Sequence, residues 1–257
     1  MKYIITEKKG YVIHIILNRA DKMNAFNVTM LQELSEAYTS LEEDKDLRCG
    51  LLYTKGDHFT TGLDLESVAK FISKGGSLFD KKLVDPLQLE GIKRTKPVVM
   101  VVSGYCLTIA IELILANDIC IASKGCTFGQ IEIKRGIFPF GGATIRFPQR
   151  CGWGNAMRYL LTGDLFDEDE ALRIGLIQEI VNGDAIKRGI EIANTIADQS
   201  PLGVSATLVN AHKALIDGDK FAIADLQPII IKLMESEDAK EGVQSFIERR
   251  KAKFHGN

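Results

Sequence analysis

The chain has 257 residues, of which 46% are hydrophobic and 26% are charged, and its formal net charge is −2. This length accommodates one large domain, or one domain with an extension. The nearly balanced charge gives no basic footprint for nucleic acid or for an anionic membrane surface, so we expect neither as a partner.

The cysteines and the amino-terminal segment bear on the cellular compartment. The five cysteines are odd in number and form no CxxC pair. Residues 1–9 are polar and interrupted, unlike a secretory signal peptide. The longest apolar stretches are shorter than the roughly 20 residues that cross a bilayer. These features predict a soluble, cytoplasmic protein in a reducing environment.

Hydrophobic periodicity and turn residues divide the first part of the chain into strands and helices. Asn27 precedes apolar residues at helical spacing and suits a helix N-cap. Pro86 interrupts one predicted helix, and Gly104 is expected to open the central one. The predicted elements, in chain order, are a hairpin (3–6 and 11–17), a helix after Asn27, a strand (50–54), a short helix (64–72), a helix ending near Arg94, a strand (Val98–Val102), the central helix ending at 117–118, a strand (119–122), a strand region (128–133), a loop (136–142) and a helix (153–161).

From Ala185 onward the pattern is almost wholly helical, with breaks at residues 200–201 and 217–219. Strands therefore alternate with helices in the first part of the chain, and helices alone follow. This order indicates an α/β core with an α-helical C-terminal region, which often serves oligomerisation. We place the core at residues 1–199 and the helical region at residues 200–257.

Two carboxylates lie in apolar surroundings. Glu112 interrupts an apolar run over residues 107–116, where a charged and unpaired carboxylate would be costly. It therefore has either a partner or a raised pKa suited to a task. Glu132 lies between two isoleucines, and the two carboxylates could share acid–base work if the fold brought them together. From spacing alone, the plainer interpretation is favoured, in which each is paired with a lysine or an arginine.

Most familiar catalytic and cofactor motifs are missing from the sequence. There is no GxxxxGKS/T loop for a nucleotide, no GxSxG elbow and no HExxH helix. Gly152-Trp153-Gly154 lacks the third glycine of a dinucleotide fingerprint and does not follow a good strand. The four histidines have no metal-ligand spacing. We therefore expect no metal site and no redox cofactor.

Short motifs along nearly the whole chain carry a resemblance to a known family. They are Asn18-Arg19 with Asn24-Ala25-Phe26, Phe59-Thr60-Thr61-Gly62-Leu63-Asp64, Lys96-Pro97-Val98, Ser103-Gly104-Tyr105 with Glu112-Leu113, Asp118-Ile119, Phe128-Gly129-Gln130 with Glu132, Leu161-Thr162-Gly163, and residues 246–254. In this order and at these spacings the chain resembles the enoyl-CoA hydratase/isomerase (crotonase) family. The resemblance implies a crotonase-like α/β spiral of β-β-α units, followed by helices that build trimers, often dimers of trimers.

The resemblance also implies a reaction. In this family the oxygen of an acyl-CoA thioester lies against two backbone N–H groups, which correspond here to Leu63 and Ile109. Fixed N–H dipoles stabilise the enolate-like oxygen of the transition state. Hydratases of the family hold one water between two glutamates, and Glu112 and Glu132 match them at the family spacing. Retention of both favours hydration of trans-2-enoyl-CoA to 3-hydroxyacyl-CoA, and the resemblance reverses the preference for two ion-paired carboxylates that spacing alone gave.

Contacts with the substrate and with coenzyme A follow from the same resemblance. The matching positions are Arg19, Lys22, Thr61, Gly62, Asp64, Phe140, Phe246 and Arg249, the last of which reaches coenzyme A from a neighbouring subunit in the family. Coenzyme A enters as part of the thioester substrate, and no other cofactor is implied. The expected partners are this thioester and further copies of the chain, as a homotrimer or a hexamer.

The chain departs from the family pattern at three places. Thr108-Ile109-Ala110-Ile111 replaces a run of small residues, often glycines, and Phe140 stands where glycine or a small polar residue is common. Both changes could narrow the acyl pocket. Glu66 occupies a place where a lysine often binds the phosphates of coenzyme A. Two alternatives to hydration stay open: Δ3-Δ2 isomerisation or related enolate chemistry with one glutamate, and a weakly active acyl-CoA-binding protein.

Overall fold

The computed structural model describes residues 1–76 and 78–257. The strands are β1 (Ile4–Lys9), β2 (Val12–Leu17), β3 (Cys49–Thr54), β4 (Val98–Val102), β5 (Tyr105–Leu107), β6 (Ile119–Ser123), β7 (Thr127–Gly129), β8 (Leu165–Asp167) and β9 (Glu179–Val181). The α-helices are α1 (Val28–Glu43), α2 (Leu65–Ile72), α3 (Ile109–Ala116), α4 (Ala143–Cys151), α5 (Trp153–Thr162), α6 (Glu168–Arg173), α7 (Ala185–Ala197), α8 (Pro201–Asp217), α9 (Asp219–Met234) and α10 (Glu237–Glu248). Short 3-10 helices cover Ala20–Lys22 and Glu132–Arg135.

The larger sheet contains strands in the order β1-β2-β3-β4-β6-β9. β1 and β2 are antiparallel, as the predicted hairpin requires, and the other neighbours are parallel. β2, β3 and β4 are buried at every residue. Buried and mostly apolar strands of this kind are typical of parallel sheets whose two faces are both covered.

The two faces of this sheet pack against different elements. On one face α7 contacts β3, β4 and β6 and buries a smaller apolar cluster, which includes Leu51, Val101 and Ala193. The main core lies elsewhere and includes α1, α3 and the second sheet, whose strand order is β5-β7-β8. α3 is buried at every residue. The core therefore encloses the helix that carries Glu112.

The C-terminal helices pack mainly on one another. α8 contacts α9, and α10 contacts α9. α8 has no fully buried residue, and α9 buries only Ala222 among its described residues. Large apolar side chains are exposed instead, namely Leu215, Ile216, Phe221, Ile223, Leu226, Ile230, Ile231 and Met234. Exposed apolar surface of this extent is typical of surfaces that other molecules cover. The division at residues 199 and 200 stays a prediction.

Several predicted elements are confirmed. The side chain of Asn27 caps α1 by accepting a hydrogen bond from the N–H of Met30 at 2.9 Å. The strand Val98–Val102 has its predicted bounds, and α8 begins at Pro201 after the break at Ser200. In each case the signal is local, either a capping side chain or a short apolar run between turn residues.

The predicted helix ending near Arg94 is wrong. Residues 84–94 contain no helix, and the buried Asp85 organises the first part of this segment as a loop. Its carboxylate accepts hydrogen bonds from the N–H groups of Leu87, Leu89 and Glu90 at 2.7–2.9 Å. Such bonds from a side chain to the backbone replace the hydrogen bonds of a helix.

Two other predictions near the central helix are wrong in their bounds. The helix begins at Ile109 rather than at Gly104, because residues 105–107 pair with β7 as strand β5. The strand region predicted over residues 128–133 ends at Gly129, and Glu132 begins a 3-10 helix instead. Pairing with β7, which lies about twenty residues further along the chain, decides where the central helix begins. No local sequence pattern predicts this pairing.

A buried ion pair holds the C-terminal end of α3. The guanidinium of Arg94 donates to both carboxylate oxygens of Asp118, at 2.7 and 3.0 Å, and to the carbonyl of Ala116 at 2.9 Å. The side chain of Arg94 is fully shielded from solvent. A cation at a helix C-terminus is favoured by the helix dipole, so this pair fixes the far end of the helix that carries Glu112.

Replacing Arg94 by methionine should lower the free energy of unfolding by about 3 kcal/mol or more, because the Asp118 carboxylate loses its partner. Urea unfolding followed by circular dichroism measures this loss. Lys70→Met is the matched control, since Lys70 pairs with Glu66 at 2.9 Å on the exposed surface of α2. The control should change stability by less than about 1 kcal/mol. Equal losses in the two variants would contradict the structural role of Arg94.

Candidate active site

The N-terminus of α3 is positioned by Thr108. The N–H of Thr108 donates to the carbonyl of Gly129 in β7 at 2.8 Å. Its own carbonyl accepts the N–H groups of Ile111 at 2.9 Å and Glu112 at 3.3 Å. Thr108 therefore joins the smaller sheet to the first turn of α3, and this turn carries both Ile109 and Glu112.

Two backbone N–H groups near this helix end are unused. Neither the N–H of Leu63 nor that of Ile109 has a hydrogen-bond acceptor among the residues that the structure describes. The residues before them, Gly62 and Thr108, are in direct contact, because a Cβ at Gly62 would overlap the Thr108 hydroxyl. The contact brings the two segments together. Two unpaired donors close to a helix N-terminus form an environment that favours a partly negative oxygen.

The carboxylate of Glu112 lies beside the loop that precedes α4. Its Oε1 atom accepts hydrogen bonds from the N–H groups of Gly141 at 2.6 Å and Ala143 at 3.5 Å. Only 4% of Glu112 is exposed. A Cβ on residue 141 would collide with the carboxylate, so the close approach requires glycine there.

Glu132 lies at the start of the 3-10 helix after β7 and is also buried. Its Oε1 atom accepts a hydrogen bond from the amide of Gln130 at 2.9 Å. The other oxygen, Oε2, is buried and has no hydrogen-bond partner among the described residues. Gln130 is itself fully buried and orients one edge of the carboxylate, which leaves the other edge without a protein donor.

Both carboxylates have strongly raised pKa values. Burial, together with the nearby charge of Glu132, raises the pKa of Glu112 to about 7, although the N–H groups of Gly141 and Ala143 oppose the shift. Burial likewise raises the pKa of Glu132 to about 7, against the hydrogen bond from Gln130. In the described part of the chain neither carboxylate forms an ion pair. The interpretation in which each is paired with a lysine or an arginine is therefore wrong.

Three other predicted site residues, Arg19, Thr61 and Asp64, bond to one another or to neighbouring backbone. The guanidinium of Arg19 donates to Asp64 at 3.0 Å and to the carbonyl of Ala25 at 2.5 Å. Asp64 also caps α2, and the N–H of Thr61 donates to the carbonyl of Met23 at 3.2 Å. These bonds hold the loop after β2 against the segment that contains Gly62 and Leu63. Lys22 is exposed.

The remaining predicted residues lie at the surface. Phe140 is 37% exposed and directly precedes Gly141. Phe246 is 85% exposed on α10, and Arg249 ends that helix in an exposed, left-handed conformation. Within the described chain, no hydrogen bond or ion pair joins Phe246 or Arg249 to the two carboxylates. Their predicted role depends on a neighbouring subunit and stays a prediction.

Sequence reasoning does not single out Thr108, Gln130 or Gly141 as site residues. Gln130 lies two residues before Glu132 in the same motif. This proximity in sequence is the one signal that could have marked Gln130 as a partner of the carboxylate. Gly141 meets Glu112 only because α4 packs against α3. The conformation of Thr108 is set by its bonds to Gly129 and to α3, which no local pattern specifies.

The comparison with known proteins agrees with this architecture. The chain matches the family model described as enoyl-CoA hydratase/isomerase over residues 7–257. Enoyl-CoA hydratase EchA19 of Mycobacterium tuberculosis is 31% identical, and the match covers 97% of this chain and 95% of that protein. The short-chain-enoyl-CoA hydratase of Clostridium acetobutylicum is 30% identical, with 96% and 95% covered.

Solved structures define the class of fold. A probable enoyl-CoA hydratase/isomerase from Mycobacterium abscessus matches with a TM-score of 0.96 and 50% identity over 99% of both chains. An enoyl-CoA hydratase from Mycobacterium tuberculosis H37Rv matches with a TM-score of 0.89 and 29% identity over the whole of both chains. The fold is the crotonase fold, an α/β core followed by C-terminal helices. The chain belongs to the enoyl-CoA hydratase/isomerase family of enzymes.

The described residues contain neither a candidate metal cluster nor a helix that could span a membrane. Residues 1–76 and 78–257 contain no group of three or more histidine, cysteine, aspartate or glutamate side chains that could hold a metal ion. No helix in this part of the chain has the length and apolar character needed to cross a membrane.

The burial of Glu112 should make stability depend on pH in a defined direction. Its pKa is about 7 in the folded chain against an ordinary value of 4.5, so the folded state binds more protons between these values. The stability that the protonated group contributes therefore falls as the pH rises through this window. In the Glu112→Gln variant the side chain is uncharged at every pH, and its amide oxygen can still accept the hydrogen bond from the N–H of Gly141.

Accordingly, Glu112→Gln should be more stable than the wild type at pH 8, by up to about 3 kcal/mol. The gain should shrink towards pH 5, where the folded wild type is already protonated. Urea unfolding at a series of pH values measures both. Glu66→Gln, at an exposed position on α2, is the control and should show no such gain. A gain that is equal at pH 5 and pH 8 would refute the buried charge as its cause.

Proposed function

We propose that this chain is an enoyl-CoA hydratase that adds water across the double bond of trans-2-enoyl-CoA to give 3-hydroxyacyl-CoA. The observation that carries the proposal is the pair of buried glutamates, Glu112 and Glu132, both with a pKa of about 7 and neither in an ion pair with a described residue. Relatives that match nearly the whole chain are named enoyl-CoA hydratases, which supports the same reaction.

In the proposed mechanism the thioester oxygen lies between the N–H groups of Leu63 and Ile109. As water adds to Cβ, the electrons of the double bond move through Cα and negative charge develops on this oxygen. Two fixed donors stabilise such charge more than water does, because they need no reorientation. Among the described residues these two N–H groups have no other acceptor, which supports this assignment.

The two glutamates would hold and activate the water. Two neighbouring carboxyl groups that both titrate near pH 7 can share one proton at neutral pH. The ionised member accepts a proton from water while the water oxygen bonds to Cβ. The protonated member supplies the proton that Cα gains when the enolate collapses. Water is thereby split between the two carbons, and the pair ends with the same number of protons.

Binding of the coenzyme A portion is proposed for the surface around the same loops. Lys22 and Arg249 are exposed cations that suit phosphate groups, and Phe246 offers an exposed aromatic ring from a second subunit. Arg19 and Asp64 bond to each other, so we assign them to holding Thr61 and Gly62 in place for the thioester. Phe140, beside Gly141, would border the acyl chain.

Turnover of enoyl-CoA substrates tests the proposal. Purified protein should remove the absorbance of the conjugated enoyl thioester with at least one member of a panel of chain lengths. Glu112→Gln and Glu132→Gln should each lower kcat by about a hundredfold or more, because each removes a group that transfers a proton. Glu191→Gln, on the exposed surface of α7, should leave kcat unchanged.

Other outcomes would select other chemistry. If no chain length reacts and Glu132→Gln changes nothing, hydration is wrong. Conversion of a 3-enoyl-CoA without hydration of the 2-enoyl isomer would identify an isomerase. Tight binding of acyl-CoA without any turnover would identify a binding protein.

We propose further that the chain assembles as a homotrimer or as a hexamer through its C-terminal helices. Ile223, Leu226 and Ile230 lie on one side of α9 at helical spacing and are 47–64% exposed. Burial of such side chains by another copy would recover the free energy that their exposure costs.

Sedimentation measures the assembly directly. The wild type should have three or six times the monomer mass of 28.4 kDa. Leu226→Asp should shift the mass towards the monomer, because burying a charge in an apolar contact is unfavourable. Lys220→Asp, at an exposed position on the same helix, tests whether a change of charge on α9 is by itself enough to dissociate the assembly. A monomeric wild type would exclude this assembly.

A further inference from the structure

Thr108 has a backbone conformation that is rare for a β-branched residue. Its φ is 53° and its ψ is −107°, in the half of conformational space that favours glycine. Residues held in this way are strained, and such strain occurs preferentially at functional sites. Glycine at this position would remove the strain, so the threonine side chain itself needs an explanation.

The Thr108 hydroxyl has no hydrogen-bond partner within residues 1–76 and 78–257. Among the described residues, five buried side-chain polar atoms are unpartnered, and three of them are Thr108 Oγ1, Gln130 Oε1 and Glu132 Oε2. Buried polar atoms in proteins are nearly always paired. Three of the five unpartnered buried side-chain atoms of the described residues thus belong to the candidate active site.

The position of this hydroxyl is defined by Gly62. Thr108 Oγ1 lies so close to Gly62 that a Cβ there would overlap it, and Gly62 itself has a φ of 111°. Gly62 precedes Leu63, just as Thr108 precedes Ile109. The hydroxyl therefore lies where the two segments with unpaired N–H groups meet.

We propose that the Thr108 hydroxyl is a third hydrogen-bond donor to the thioester oxygen of the substrate, beside the N–H groups of Leu63 and Ile109. This proposal rests on the proposed hydratase function. When the double-bond electrons move onto the thioester oxygen, the hydroxyl donates a hydrogen bond and keeps its proton. The substrate supplies the acceptor that the described residues do not provide, and this gain offsets the strain at Thr108.

Thr108→Ala and Thr108→Ser form a matched pair of variants. Both remove the methyl group and leave a Cβ in the same strained backbone, so they differ only in the hydroxyl. Loss of a donor to developing charge lowers kcat more than it raises KM, so Thr108→Ala should lose about tenfold or more in kcat at a nearly constant KM. Thr108→Ser should stay close to the wild type. Equal kcat values for the alanine and serine variants would overturn the proposal.

A binding measurement needs no turnover. Butyryl-CoA carrying carbon-13 at the thioester carbon cannot be hydrated, and its carbonyl stretching frequency reports hydrogen bonds to the oxygen. Bound to the wild type and to Thr108→Ser, the carbonyl should absorb at lower frequency than when bound to Thr108→Ala. Identical frequencies in all three proteins would refute a bond from the hydroxyl, even if the wild type hydrates enoyl-CoA normally.

Thr108→Gly removes the hydroxyl and also the backbone strain. It therefore tests the role of the hydroxyl even if the alanine variant misfolds. Glycine accepts the backbone conformation, so this variant should melt at a higher temperature than the wild type while losing kcat as the alanine variant does. A purely structural role would not combine higher stability with lower kcat.

If the wild type binds butyryl-CoA with a polarised carbonyl but hydrates nothing, the proposed function fails and the donor role stands. If it binds no thioester, both fail.

Discussion

The burial of Glu112 is the constraint on which the rest of the site depends. A carboxylate enclosed in an apolar core cannot ionise at its ordinary pKa, and the N–H of Gly141 offsets only part of the burial. The nearby charge of Glu132 adds to the shift. Residue 141 must therefore be glycine, because a Cβ there would collide with the Glu112 carboxylate. No described residue forms an ion pair with Glu112 that would lower its raised pKa. The raised pKa is what suits the pair to exchange protons near neutral pH.

The helix that carries Glu112 is fixed at both ends. At its N-terminus, Thr108 bonds to Gly129 and holds the first turn next to the unpaired N–H of Ile109. At its C-terminus, Arg94 binds Ala116 and Asp118, and Arg150 from α4 donates to the carbonyl of Ile114 at 2.8 Å. An eight-residue helix is too short to be stable alone. Its position, and with it the geometry of the site, comes from these contacts.

Much of the fold was predictable because its signals are local. The Asn27 cap, the apolar strand at residues 98–102 and the helix start at Pro201 each depend on a few adjacent residues. The predictions failed where distant partners decide the outcome. The Asp85 carboxylate turns residues 84–94 into a loop, and pairing with β7 makes a strand of residues 105–107. The same distinction holds in the site, where Gly141 contacts Glu112 only after α3 and α4 have packed.

The sequence by itself determined the class of the protein, because motifs in a fixed order over nearly the whole chain identified its family, and it determined that Glu112 and Glu132 are unusual carboxylates. Only the tertiary structure decided that both lack an ion-pair partner among the described residues, and that Gln130 and Gly141 hydrogen-bond to them. It also placed an unpartnered hydroxyl at Thr108, against Gly62. Burial and hydrogen-bond satisfaction belong to the packed chain, since they depend on which distant segments meet.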